Sequence, residues 1–301
     1  MPKAAFIYAI DSNGEIWSTP YSIKSEFKSR GWEIIDVSLF DHKNRYTSDN
    51  LIDFVYAYDL YEPDIILFFD YGRYDSEWLD KKHFPKSFFV GEMGDEWQNY
   101  DKNYPKSHKF DMIHTPDYSC YLKYKEAGRN VEWLPHWTDT KIYQRKLGNP
   151  SIDVVSSRGP GGSQFLDYMT QILGSKFVNR NGFMGEDHGR FLSSGKIVLQ
   201  SSRFHEFTRR IPEAMSVGRL VITDKLPEHT HIDDLFIDGE DYVTYTDIPE
   251  AISKINYYLN NSVERERIAL NGYRKTLAGH TQVQRVDTII SKYKEFLNNK
   301  I

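Results

Sequence analysis

The densest potential chemistry lies in Phe204-His-Glu-Phe-Thr-Arg-Arg-Ile-Pro-Glu-Ala-Met-Ser-Val-Gly-Arg-Leu-Val-Ile-Thr-Asp224. Thr208 suits a helix N-cap, and Pro212 is tolerated only in a first helical turn. A helix is therefore expected to start around Thr208–Arg210 and to stop at Gly218, with a strand at Leu220–Thr223 directly after it. Unpaired N–H groups and the positive end of the macrodipole meet at such a helix start. Arg209 and Arg210 add fixed cations there, and the combination suits a diphosphate. Glu213, in the first turn, is placed to accept hydrogen bonds from two adjacent ribose hydroxyls. The same pattern also fits a glutamate that merely complements the helix dipole, with the arginines on a solvated face.

Weaker signals lie elsewhere. Arg158-Gly-Pro-Gly-Gly162 follows a strand candidate, and its glycines, Gly161 among them, would let backbone amides approach a phosphate with Arg158 beside them. It fits a plain flexible turn equally well. Ile10-Asp-Ser-Asn-Gly14 follows the first strand. Asp11 is either an acceptor contact or base, or the start of an Asx turn. Gly91-Glu-Met-Gly-Asp-Glu96 places Glu92, Asp95 and Glu96 beside glycines at a strand end. That is a polar pocket able to supply a general base, or a solvated acidic loop. His114 ends another strand and is either a cleft residue or a packed one. No Asp-x-Asp occurs in the chain, and His229-Thr-His231 has no further ligands at metal spacing. No obligatory metal is expected.

Short apolar runs alternate with amphipathic stretches, the pattern of parallel sheets covered by helices. Strands are expected at Ala4–Ile10, Glu33–Val37, Asp64–Phe69, Ser87–Val90, Met112–His114 and Val131–Leu134. The run ending at Asp70 puts a carboxylate where open α/β sheets place ligand groups. Helices are expected at Tyr21–Arg30, Ser48–Tyr61, Ser76–Lys81 and Tyr118–Ala127. Lys146-Leu-Gly-Asn-Pro150 breaks the rhythm and reads as a linker. The alternation then restarts, with strands at Ile152–Ser156, Lys176–Val178, Lys196–Gln200, Leu220–Asp224 and Tyr242–Tyr245. Helices are expected at Gln164–Leu173, Asp187–Ser193, Arg210–Val217, Pro249–Asn260, Val263–Leu277 and Gln282–Asn298. The fold class is α/β: two Rossmann-like, doubly wound domains facing a cleft, residues 1–147 and 148–301, with a last helix able to cross back to the first.

With 301 residues and 40% hydrophobic content the chain can bury two cores. A net charge of -5 argues against a general nucleic-acid binder. Cys120 has no partner for an internal disulfide and reads as a packed thiol. No stretch approaches the roughly 18 apolar residues of a spanning helix, so the expected location is the cytoplasm.

The stretch from about Gly189 to Thr281 resembles the C-terminal domain of CgeB-like, spore-maturation-type glycosyltransferases, relatives of the family 4 retaining enzymes. The matching residues begin with Ser193-Ser-Gly-Lys-Ile-Val-Leu, Thr208-Arg-Arg, Glu213-Ala-Met, Gly218 and Thr223-Asp224. They continue with Asp234-Leu-Phe, Val243-Thr-Tyr-Thr-Asp, Ile255-Asn-Tyr-Tyr-Leu and Ala269-Leu-Asn-Gly-Tyr. Thr115-Pro-Asp, Glu126-Ala-Gly, Trp133-Leu-Pro and Asp139 look like the end of the family's first domain. The resemblance implies a GT-B fold and transfer of a sugar from a nucleoside diphosphate donor, a UDP-sugar first among them. It places the donor on the C-terminal domain and the acceptor mainly on the N-terminal one. By this resemblance Glu213 holds the ribose and Arg209 and Arg210 meet the phosphates. Arg158, Gly161, His205, Thr208 and Tyr245 are grouped with them, while Asp11, Glu92, Asp95 and His114 are the catalytic candidates. The acceptor stays open among saccharide, protein, small molecule and modified DNA, and retention is implied. Related retaining enzymes often carry an acidic residue eight positions before this glutamate, where this chain has His205 beside Glu206. An epimerase or hydrolase of the same fold, and a binding protein without catalysis, are the other readings.

Overall fold

A computed structural model describes residues 1–8, 18–38, 62–70, 79–94, 96–145, 150–158 and 163–299. The chain divides into two units, Met1–Pro135 with Gln282–Ile301, and His136–Thr281.

The first unit is built on a parallel sheet. Its strands are β1 (Lys3–Tyr8), β2 (Glu33–Ser38), β3 (Ile65–Phe69), β4 (Phe88–Glu92), β5 (Met112–Thr115) and β6 (Val131–Trp133), in the order β2-β1-β3-β4-β5-β6. Every residue of β3 and β4 is buried, as expected of strands covered on both faces. Side chains of alternate residues point to opposite faces. Ala5, Ile7, Ile66, Phe68 and Phe89 form one core. On the other side Phe6 packs edge-on to Phe27 at 5.6 Å, and Phe88 meets Phe296 at 5.1 Å. Phe27 belongs to helix α1 (Ser18–Ser29) and Phe296 to the last helix, Gln282–Asn298. Tyr293 of that helix donates to Asp64 at 2.9 Å, and buried Arg285 donates from Nε to the carbonyl of Pro135 at 3.0 Å.

Helix α2 (Glu96–Asn103) was not foreseen, since its acidic start reads as part of a polar loop. Helix α3 (Tyr118–Glu126) begins at Asp117, whose side chain accepts from the Cys120 amide. Residues 79–81 are not helical. The rest of the helix expected at Ser76–Lys81, and all of that at Ser48–Tyr61, lies outside the described residues.

The second unit repeats the scheme with β7 (Ile152–Ser156), β8 (Phe177–Asn179), β9 (Gly195–Leu199), β10 (Leu220–Asp224) and β11 (Val243–Tyr245), again parallel, in the order β11-β10-β9-β7-β8. Val155, Val198 and Val221 point to one face, with helices α5 (Gly185–Ser194) and α6 (Arg210–Ser216). Val154, Ile197, Leu199, Leu220 and Ile222 point to the other, with α4 (Gln164–Leu173), α8 (Ile248–Asn260) and α9 (Ser262–Gly279). Between β10 and β11 lies the short α7 (Ile232–Leu235).

The division into units falls at Pro135–His136, before the expected linker, whose residues 146–149 lie outside the described ones. The reason is packing. Trp137 and Tyr143 are buried within the second unit, and the Ser216 hydroxyl donates to the Tyr143 carbonyl at 2.6 Å.

Candidate functional site

Each sheet reverses its winding once, between β1 and β3 and between β7 and β9. Ligands of open α/β sheets collect beyond the strand C-termini at such a point. In the second unit β7 delivers Arg158 there, and β9 delivers Gln200, Ser201, Ser202 and Arg203. The Arg158 Nη1 donates to the carbonyl of Ser201 at 3.1 Å. The Tyr245 hydroxyl donates to the carbonyl of Gln200 at 2.9 Å, and Gln200 Nε2 donates to Thr208 Oγ1 at 3.1 Å. These bonds tie the ends of β7, β9 and β11 to the segment leading into α6.

Arg158 is held below the usual guanidinium range. Burial is the main cause, followed by repulsion from Arg210 and Arg203, with Asp224 and Tyr245 opposing. Three guanidinium groups therefore share one electrostatic neighbourhood. Crowded like charges are costly, and an incoming anion relieves that cost. Asp224 is the local counter-charge. Its carboxylate accepts from the Ser202 amide at 2.8 Å, from the Ser202 hydroxyl, and from Thr223 Oγ1 at 3.1 Å. His205 sits beside it, Nδ1 to Asp224 Oδ2 3.9 Å, largely exposed and with φ of 54°. A left-handed backbone at a non-glycine residue costs about 1–3 kcal/mol and persists where the surroundings impose it.

Helix α6 runs from Arg210 to Ser216, and Gly218 closes it with φ of 74°. The cap differs from expectation. Arg209 occupies the N-cap position with helical dihedrals and no capping side chain, while the Thr208 hydroxyl is turned to Gln200. Glu213 lies in the first turn and is only 5% exposed. Arg209 Nε lies 3.5 Å from Glu213 Oε1, and its guanidinium sits 5.4 Å from the Trp137 ring centre. On the other oxygen, His188 Nδ1 is 3.8 Å from Oε2. The Tyr143 hydroxyl lies 2.8 Å from His188 Nδ1. Burial, then Glu213, push the Tyr143 hydroxyl's pKa well above its usual value.

Of the donor-side candidates, the second unit gathers Arg158, Thr208, Arg210, Tyr245 and His205 around the strand ends, with Arg209 and Glu213 at the start of α6. Gly161 lies outside the described residues. Arg203 and Asp224 join the cluster. Asp224 is the last residue of β10, a strand-end position that points to it, while Arg203 lies four residues beyond β9. Tyr143, His188 and Trp137 carry no such signal, because only tertiary packing brings them to Glu213.

In the first unit Glu92 ends β4 and is buried. Asp70 follows β3 with φ of 52°, and its Oδ1 accepts from the Gly94 amide at 3.4 Å. Glu96 opens α2. Its Oε1 accepts from Asn103 Nδ2 at 3.0 Å and from the Tyr124 hydroxyl at 2.8 Å. His114 is packed inside β5, with Nε2 3.1 Å from the carbonyl of Leu134. Burial pulls its pKa down to about 3, with Arg285 adding to this and the Leu134 bond opposing it. A base so enclosed is poorly placed to reach a substrate. Asp11 and Asp95 lie outside the described residues. Among the described residues no group of three or more His, Cys, Asp or Glu has metal-holding geometry, and no helix is long and apolar enough to cross a membrane.

Residues 154–291 match the family model described as glycosyl transferase-like. The arginine cluster and Glu213 lie within the matched stretch. No curated protein sequence matches the chain. Among solved structures, the chain is similar to sucrose-phosphate synthase from Thermosynechococcus elongatus at a TM-score of 0.68 and 11% identity, covering 99% of this chain and 100% of that one. HepE of Anabaena, solved with UDP and glucose, matches at 0.65 and 12%, covering 98% and 100%. A putative UDP-N-acetylglucosamine 2-epimerase from Listeria monocytogenes matches at 0.62 and 11%, covering 99% and 97%. At such identities the likeness establishes the fold, two Rossmann-like units of the GT-B type.

Proposed function

We propose that the protein is a glycosyltransferase that takes a sugar from a nucleoside diphosphate donor, a UDP-sugar foremost, and passes it to an acceptor hydroxyl. The observation that carries this reading is that Arg158, at the strand ends of the stretch matched by the glycosyl transferase-like model, feels the charges of Arg203 and Arg210, while the first turn of α6 holds the buried carboxylate of Glu213. The arginines take the diphosphate and Glu213 takes the ribose diol. In transfer the bond from the anomeric carbon to the phosphate oxygen breaks, and the electron pair leaves with the nucleoside diphosphate. The guanidinium groups meet that developing charge without a metal, a preorganised electrostatic role. The acceptor oxygen bonds the anomeric carbon and gives up its proton. Glu92, at the end of β4, and Asp11 and Asp95 are the candidate bases, with acceptor groups drawn from the first unit. HepE was solved with UDP, which supports uracil as the donor base. The CgeB-like motifs around Thr208–Glu213 support that subtype and retention of configuration.

Likeness to a putative epimerase favours one second reading, epimerisation on the same fold. The deciding experiment is turnover of a panel of nucleoside diphosphate sugars with and without a mixture of acceptor saccharides. Acceptor-dependent release of nucleoside diphosphate is expected, with loss in Glu213→Ala. Conversion of the donor sugar without acceptor would establish the epimerase, and binding without turnover would leave a binding protein.

A further inference from the structure

Glu213 is surrounded by side chains from three separate segments. Arg209 comes from the start of its own helix, His188 from α5, and Tyr143 from the segment that precedes β7. Close packing makes the arrangement possible. A Cβ on Gly189 would lie 2.9 Å from the carbonyl of Ile142, so only glycine lets α5 approach the Tyr143 segment this closely. The Tyr143 and His188 rings then meet edge to face, at 5.6 Å and 89°.

An ionised carboxylate only accepts hydrogen bonds, and a phenol has one proton to donate. The Tyr143 hydroxyl lies 2.8 Å from His188 Nδ1, and that nitrogen lies 3.8 Å from Glu213 Oε2, so phenol and imidazole share one hydrogen bond beside the carboxylate. Burial lowers the imidazole's proton affinity, Glu213 opposes this, and Arg210 and Arg209 add to it. Burial thus favours the neutral ring, which the phenol holds in place.

We propose that Tyr143 and His188 are positioning residues for Glu213: the hydrogen bond between the phenol and His188 Nδ1 braces the imidazole 3.8 Å from the carboxylate and holds it ready for the ribose diol. Supporting groups of this kind fix a ligand-binding side chain's orientation without touching the ligand. The proposal rests on reading Glu213 as the ribose carboxylate. It predicts that this bracing controls recognition of the diol and leaves the phosphate contacts alone.

The test is calorimetric titration with UDP and with 2′,3′-dideoxy-UDP, which lacks the diol. Wild type, Tyr143→Phe, His188→Ala and His188→Asn are compared, with thermal melts to establish that each folds. Wild type is expected to prefer UDP. Tyr143→Phe and His188→Ala lower that preference roughly tenfold through UDP alone. His188→Asn, whose amide N–H falls near the position of Nδ1, restores most of it. Equal weakening toward both nucleotides in the variants, or an unchanged preference, overturns the positioning role. Failure of the Glu213 reading has a different signature: wild type itself would not distinguish the two nucleotides, and the proposal would fall with it.

Discussion

Replacing Glu96 by Gln should make the protein's stability less dependent on pH between about 4.5 and 8. The Glu96 carboxyl is 1% exposed at the start of α2. Burial pushes its pKa from the usual carboxylate value of 4.5 up to about 7. Asp117 and Asp70 push in the same direction, and the hydrogen bonds from Asn103 and Tyr124 oppose it. The sign follows from proton counts. Below pH 4.5 the folded and unfolded chains both hold this proton. Between 4.5 and 7 the folded chain keeps it and the unfolded chain has lost it, so stability falls as pH rises. The slope is about 1.4 kcal/mol per pH unit, which gives about 3 kcal/mol over the window. Above 7 both states are ionised and this contribution is flat. Gln stays neutral throughout, and its carbonyl oxygen can accept from Asn103 and Tyr124 as the acid does. Urea unfolding followed by tryptophan fluorescence, in buffers from pH 4.5 to 8, measures the difference. The variant should gain on wild type by about 3 kcal/mol across that range. A constant difference, or one that shrinks as pH rises, would refute the reasoning.

Arg158→Met should weaken UDP binding tenfold to about a hundredfold, the usual effect of losing a charge-assisted hydrogen bond. The unliganded protein should melt no lower than wild type, because repulsion from Arg210 and Arg203 is relieved. Thermal shift at graded UDP concentrations reads both effects. Gly272→Ala should lower stability by about 1–3 kcal/mol, because its Cβ would lie 2.3 Å from the backbone carbonyl of Asp241. A calorimetric scan checks this. Cys120 is buried, and burial, with Asp117 and Glu96, raises the thiol's pKa well above its usual value. A disulfide-forming reagent should modify it only after denaturant is added, and rapid labelling of the native protein would contradict the packing described.

The second unit was legible in the sequence nearly residue by residue. β7, β10 and α4 coincide with the expected segments, as does the last helix of the first unit, because each is a single apolar run or stripe with Gly, Pro or Asn close to one end. Apolar periodicity also located the strands of the first unit, with ends shifted by a residue or two. Helix α2 escaped notice because Glu96, its buried start, looks like one more charge in an acidic loop. The position of Thr208 suggested a cap, yet tertiary structure offered its hydroxyl a better partner in Gln200. The unit boundary was misplaced because Gly148, Asn149 and Pro150 read as a break in the local pattern, whereas the burial of Trp137 and Tyr143 decides which core the preceding segment joins. Strand-end position led to Arg158, and a short helical motif led to Arg209, Arg210 and Glu213. The groups that support Glu213 lie 25 and 70 residues before it in sequence, beyond the reach of any local pattern.

The central claim is that the second unit binds a nucleoside diphosphate through Glu213 and the arginine cluster. Calorimetric titration of UDP into wild type and Glu213→Gln tests it most directly. The account predicts saturable binding to wild type and affinity at least tenfold weaker in the variant. Equal affinity in the two proteins, or no binding of UDP to wild type, would contradict it.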